Sequence, residues 1–237
     1  MSGRSVCIAA SLSAHRLARA TGGSKGNCRK SKMIIGITGG VGSGKSTILN
    51  ILHDNYGAHI IQADDVAKEL MEPGMECYRL IVEAFGSDIL VPEETDPKRP
   101  IDRPALAKIA FSSEEKRQLL NSLTHPQVKR DIIRRIREIY TLESEALIVV
   151  EAALLIEAEY TDILDQLWVV FADKETRIAR LAASRGYTRE KTESVMASQL
   201  SDEQFKAAAD IVIDNSGTPK ESEHQIADAL LKCGYLS

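Results

Sequence analysis

The sequence predicts an α/β fold: a doubly wound sheet of five parallel strands, with helices on both faces and a helical insertion after the second strand. Two observations carry that expectation. Five short runs, residues 33–38, 58–63, 146–152, 166–172 and 209–214, are nearly continuous in apolar and β-branched side chains, the pattern of strands covered on both faces. Between them lie segments with apolar residues at helical spacing, and strands joined through helices pair in parallel by right-handed crossovers. A chain of 237 residues, 43% of them apolar, has the material for a core; at this length folding buries about 70% of the extended surface.

The first run, MIIGIT, ends in glycines and gives way at Lys45 to a helix with Ile48, Leu49, Ile51 and Leu52 on one face. The second, AHIIQA, is followed by Asp64 and Asp65, and Asp65 is expected to cap a helix that starts near Val66. The third run arrives late. Residues 64–144 or so are therefore expected to form a helical lobe, with helices over 77–85, 104–111, 114–122 and 127–142 and a Pro- and charge-rich loop at 91–100. Pro126 is expected to open the last of those helices. After the fourth run come a helix over 174–185, capped by Asp173, and another over 189–198. Ser201, with Gln204 three residues on, reads as a capping box. The fifth run precedes a final helix over 220–233.

The 30 Lys and Arg against 34 Asp and Glu give a net charge of −4, yet residues 1–32 hold seven of the cations and no acid. The remainder carries 23 cations against 34 anions, a net −11, which argues against broad binding to nucleic acid or to an anionic membrane. No apolar run reaches the ~18 residues that a membrane-spanning helix needs. Residues 1–32, rich in Ser, Ala, Arg and Gly, read as a disordered tail or an upstream-start extension, with a transit peptide as the other reading. The fold itself is expected over residues 33–237. Cys7, Cys28, Cys77 and Cys233 form no CxxC pair and have no His at metal-ligand spacing, so reduced thiols and a cytoplasmic setting are expected. No obligate protein partner is evident.

The chemistry begins at Gly39-Gly40-Val41-Gly42-Ser43-Gly44-Lys45-Ser46-Thr47, which fits G-x-x-x-x-G-K-[ST] and stands where that motif must, after a strand and at the start of a helix. Glycines let backbone N–H groups wrap a phosphate chain, and the helix N-terminus adds partial positive charge. Lys45 would reach the terminal phosphates and Ser46 would ligate Mg²⁺ through its hydroxyl, so the chain is expected to bind a nucleoside triphosphate on a P-loop. Parallel strands end at one rim, so Asp64 is expected beside that loop, accepting the proton of an incoming hydroxyl. Arg177, Arg180, Arg185 and Arg189 follow the fourth strand. Arginines on such a helix and turn can neutralise charge on a transferred phosphoryl group, with a solvated surface as the plain alternative. Lys129, Arg130, Arg134, Arg135 and Arg137 interleave with Ile132, Ile133, Ile136 and Ile139 and read as the outer face of an amphipathic helix. His15, His53, His59 and His224 form no cluster with acid or Cys partners, and no metal site built from protein ligands alone is expected.

With those residues in view the chain resembles the dephospho-CoA kinase family. The resemblance is carried by Thr38 through Thr47, Ala63-Asp64 with Ala67 and Leu70, Asp102-Arg103, His125-Pro126, Leu154-Leu155-Ile156-Glu157, Arg180, Arg185, Gln199 and Asp214-Asn215-Ser216-Gly217, in order from Met33 to about Leu231. It implies a P-loop kinase fold of the nucleoside-monophosphate-kinase type in three parts: a nucleotide core, a helical acceptor lobe at about 64–144 and a short helical lid at about 177–205. It implies phosphoryl transfer from ATP, with Mg²⁺, to the ribose 3′-hydroxyl of dephospho-CoA, the last step of coenzyme A synthesis. By position it implies Asp64 as general base and Lys45 and Ser46 as phosphate and Mg²⁺ groups, with Gly40, Val41, Gly42, Ser43, Gly44 and Thr47 completing the nucleotide loop. Arg180 and Arg185 would be lid arginines near the phosphates. Lys68, His125, Leu155 and Glu157 would line the acceptor side, and Asn215 would fall near the adenine. The chain departs from the family pattern at Gln62, Lys68, Ala153 and Arg177, where Asp, Arg, Pro and Gln are common. Lys68 cannot reproduce the bidentate fork of an arginine. Two other readings fit the loop alone: another P-loop nucleoside or nucleotide kinase, and a nucleotide-switch NTPase with a protein partner. Against the switch, no Asn-Lys-x-Asp sequence follows the loop.

Overall fold

The computed structural model describes residues 32–153, 155–156 and 160–236. The expectations for the N-terminal segment up to residue 31 and for Glu157 lie outside the described residues. Five strands, β1 (Met33–Thr38), β2 (His59–Gln62), β3 (Leu147–Glu151), β4 (Gln166–Phe171) and β5 (Ile211–Asp214), form one sheet in the order β2-β3-β1-β4-β5. β1 is central. It pairs in parallel with β3, Ile35 opposite Val149, and with β4, Ile37 opposite Trp168, while β4 pairs in parallel with β5. β1, β3 and β4 are buried almost throughout, which is why their sequences run continuously apolar instead of alternating.

The helices are α1 (Lys45–Tyr56), α2 (Ala63–Leu70), α3 (Glu76–Phe85), α4 (Arg103–Ala110), α5 (Glu114–Leu142), α6 (Lys174–Arg185), α7 (Arg189–Ala197), α8 (Asp202–Ala208) and α9 (Pro219–Lys232). The expected face of α1, Ile48, Leu49, Ile51 and Leu52, joins Ile35, Ile37, Trp168, Ile226 and Leu230 in the main core. Each such side chain contributes roughly 1.5–3 kcal/mol by leaving water. The described residues up to Ile60 and from Ile139 onward form one compact unit, which contains the sheet core, and Ile61–Glu138 form a second. The second unit has its own apolar centre in Cys77, Ile81, Ile89, Ile101 and Leu106. Among the described residues no helix is long and apolar enough to cross a membrane.

Two expectations change. The helix after β2 begins at Ala63, not near Val66, with Gln62 as an extended N-cap that gives no side-chain bond. Asp64 and Asp65 therefore both sit in its first turn, where the partial positive charge of the helix end favours carboxylates, and Asp65 accepts from Lys68 Nζ instead of capping. The two helices expected over 114–122 and 127–142 are one, α5, with Pro126 inside it. Proline removes one helical donor and crowds the preceding turn. What holds the helix across it is an uninterrupted buried row at spacing four, Thr124, Val128, Ile132 and Ile136, with Thr124 Oγ1 donating to Leu120 O at 2.9 Å. The caps at Asp173 and the Ser201–Gln204 box are formed as expected.

Candidate active site

The loop between β1 and α1 takes its path from glycine. Gly44, the N-cap of α1, is left-handed (φ 84°, ψ 36°), and a Cβ there would collide with Asn215 Nδ2. Within the loop Ser43 N–H donates to Gly40 O at 3.2 Å and Thr47 N–H to Gly44 O at 3.0 Å. The N–H groups of Gly42, Gly44 and Ser46 have no backbone or side-chain acceptor among the described residues. Lys45 Nζ donates to Gly39 O at 3.0 Å, and Ser46 is exposed at the second position of α1. Ser43 Oγ is buried, with no hydrogen-bond partner among the described residues. Open N–H groups, a helix N-terminus and an ammonium make a cradle for anionic oxygens.

Side chains from far along the chain brace this cradle. Asn215, 2% exposed, donates Nδ2 to Ser43 O at 2.8 Å and to Gly44 O at 3.4 Å, while its Oδ1 accepts from Ser222 Oγ at 2.9 Å. Arg180 donates to Ser43 O at 3.3 Å and to Asn215 O at 2.8 Å. Arg177 Nε donates to Val41 O at 2.8 Å and its Nη1 pairs with Asp202 at 3.1 Å, and Gln199 Oε1 accepts from Val41 N–H at 2.9 Å. The structure thus gathers Gly40 through Thr47, Arg180 and Asn215. Asn215, expected near the adenine, has its side chain committed to loop carbonyls and Ser222. Arg177, expected with Arg180 as a candidate for neutralising charge on the transferred phosphoryl group, has its guanidinium committed to Val41 O and Asp202 instead. Gln199 helps to carry the family resemblance, but nothing in the sequence gives it a role at the loop.

The remaining candidates are each set by their own element. Asp64 is exposed in the first turn of α2, and Lys68, on the same helix, is exposed with its ammonium on Asp65. Arg103 reaches Lys68 O and Glu72, both at 3.5 Å. His125 is half-buried in α5, and that burial lowers its pKa below the ordinary imidazole value. Leu155, expected on the acceptor side, is wholly buried against β1, where a Cβ on Gly36 would lie 3.1 Å from its Cδ1, so its side chain belongs to the core. Arg185 is exposed at the end of α6, and Arg189 is held by a two-pronged pair with Glu175, at 2.9 and 2.6 Å.

Comparison with known proteins gives the family. The family model for dephospho-CoA kinase matches residues 33–221. A dephospho-CoA kinase of Geobacter sulfurreducens is 41% identical over 199 residues, covering 84% of this chain and 98% of that protein. A crystal structure of a Thermus thermophilus protein matches with a TM-score of 0.70 at 29% identity, over 85% of this chain and 97% of that one. The dephospho-CoA kinase from Campylobacter jejuni matches in fold, with a TM-score of 0.57 at 22% identity over 85% and 97% of the two chains. The family match begins at the first residue of β1 and runs through the phosphate loop, the helical unit and the bracing segment into the first turn of α9. The chain belongs to the dephospho-CoA kinase family.

Proposed function

We propose that this chain transfers the γ-phosphoryl group of ATP to the ribose 3′-hydroxyl of dephospho-CoA, giving coenzyme A and ADP. The observation that carries this reading is the cradle of open N–H groups at Gly42, Gly44 and Ser46, with Lys45 beside it, in a chain of this family. In the step itself the ribose oxygen bonds to the γ-phosphorus as the bond from that phosphorus to the β,γ-bridging oxygen breaks. The hydroxyl proton passes to the carboxylate of Asp64, a task worth about 10²–10⁴-fold in rate. Lys45 and the loop N–H groups hold the phosphates and offset the charge that builds on them. Arg180 and Arg185 on α6 add positive charge for the transferred group. The residues present also fit magnesium, for which the exposed Ser46 hydroxyl would be the protein ligand; bound with ATP, the ion would neutralise phosphate charge. We assign the acceptor side to the helical unit, with Lys68 and His125 contributing, and the lid to α6 and α7.

The test is product formation by the full chain with ATP, magnesium and dephospho-CoA, followed by mass spectrometry and phosphorus NMR. The reading expects one ADP for each coenzyme A, with the new phosphate on the ribose 3′-oxygen. ATP hydrolysis that proceeds equally without dephospho-CoA, or phosphorylation of a different acceptor only, would overturn it.

A further inference from the structure

We infer that Arg177 is a positioning residue for the nucleotide: with Asp202 and Gln199 it holds the Val41–Gly42 peptide of the phosphate loop in one orientation and so directs the Gly42 N–H. The inference rests on the proposed binding of ATP at this loop. Val41 is gripped on both of its backbone polar groups by side chains from the α6–α8 segment. Gln199, 158 residues away, takes its N–H, and Arg177, 136 residues away, takes its C=O.

The second contact matters most. In a trans peptide the C=O and the following N–H point in opposite directions, so Arg177 on Val41 O fixes the Gly42 N–H on the far side of that plane. Gly42 is left-handed at φ 77° and follows a residue next to another glycine, so the chain itself offers little resistance to rotation of this peptide. A flip would carry one of the three open donors of the cradle away from its place. The guanidinium is what opposes the flip.

The surroundings of Arg177 fit that task. It is 5% exposed, and a buried guanidinium is costly unless its donors and charge are matched. Val41 O receives Nε and the Asp202 carboxylate receives Nη1. Asp202 is the first residue of α8, inside the Ser201–Gln204 capping box, which anchors that carboxylate locally. Position 40 leaves room for the group, since a Cβ on Gly40 would lie 2.9 Å from Arg177 Cζ.

The experiment compares the full-length wild type with Arg177→Met, Arg177→Lys and Asp202→Asn. ADP and ATP affinity are read by calorimetry, KM for ATP and for dephospho-CoA by turnover, and unfolding midpoint without nucleotide by calorimetric scan. Loss of a charged hydrogen bond supports an expectation of about tenfold weaker ADP and ATP binding in Arg177→Met. KM for ATP should rise with it, while KM for dephospho-CoA stays within about twofold. Arg177→Lys, which keeps the charge for Asp202 but not the two-directional fork, should fall between. Asp202→Asn, which leaves Arg177 in place and keeps an acceptor, should weaken nucleotide binding by about threefold and remains informative should Arg177→Met fail to fold. The inference is wrong if the folded variants bind ADP as the wild type does, if nucleotide binding falls only in proportion to the unfolded fraction, or if both KM values rise together. A wild type that binds no adenine nucleotide would instead overturn the functional reading itself, so the two failures are distinguishable.

Discussion

The phosphate loop of the sheet unit is braced by side chains 136 to 172 residues away in the chain, whereas α2 of the helical unit, which carries Asp64 and Lys68, is met by side chains only 35 and 66 residues away, those of Arg103 and Arg135. The contrast matches the two tasks. A cradle of backbone N–H groups works only when several peptides are oriented together, and a flexible glycine loop cannot hold that orientation unaided. A carboxylate that takes a proton from a substrate, or a lysine that meets an anion, must be reachable, and Asp64 and Lys68 are exposed. Rigidity has therefore been supplied to the loop by long-range contacts, while Asp64 and Lys68 stay exposed.

The largest expected effect in this contrast is at Asn215. Replacing it by leucine orphans the fully buried Ser222 hydroxyl and takes one donor from each of the Ser43 and Gly44 carbonyls, which keep only Arg180 and the Thr47 N–H. Each orphaned buried group costs about 1–3 kcal/mol. For a chain of this size one kcal/mol moves the unfolding midpoint by about 2–4 °C, so Asn215→Leu should unfold several degrees earlier. Adding Ser222→Ala should restore part of that loss, because it removes the orphaned hydroxyl. An unchanged midpoint in the single variant would break the claim that the loop is held from afar.

A smaller effect is expected at His125, where the helical unit does bury a titratable group. Burial lowers the folded-state pKa below the ordinary value near 6.5 of the unfolded chain. The unfolded state then takes up the proton first as pH falls, so this contribution to stability is whole above that ordinary value and is lost as pH drops toward the folded-state pKa. Unfolding midpoints at about pH 7.5 and pH 5.5 should separate more in the wild type than in His125→Gln. Equal separations would mean that the imidazole is effectively solvated, and Asp64, Lys68 and His125 would then all be exposed.

Much of this was legible in the sequence, because the dominant signals are local. The strands announce themselves through continuous apolar runs, and the loop through glycine spacing followed by Lys45 and Ser46. What could not be read is whatever depends on a distant partner. Nothing near Arg177 in the chain reveals that Val41 and Asp202 satisfy it, and nothing near Asn215 reveals that it braces carbonyls 171 and 172 positions earlier. Pro126 misleads for the related reason that a buried row of side chains on either side of it outweighs its local penalty. The start of α2 is not signalled in the sequence because Gln62, a residue with little capping preference, holds the N-cap position.

The sharpest test of the account is the pair of values kcat with dephospho-CoA and Kd for ADP, measured on Asp64→Asn and on the wild type. With the proton acceptor removed and the phosphate loop intact, kcat should fall by about 10²–10⁴-fold, while Kd for ADP stays within about twofold. A kcat at the wild-type level would contradict the assignment of Asp64 as the base, and with it the proposed route of transfer.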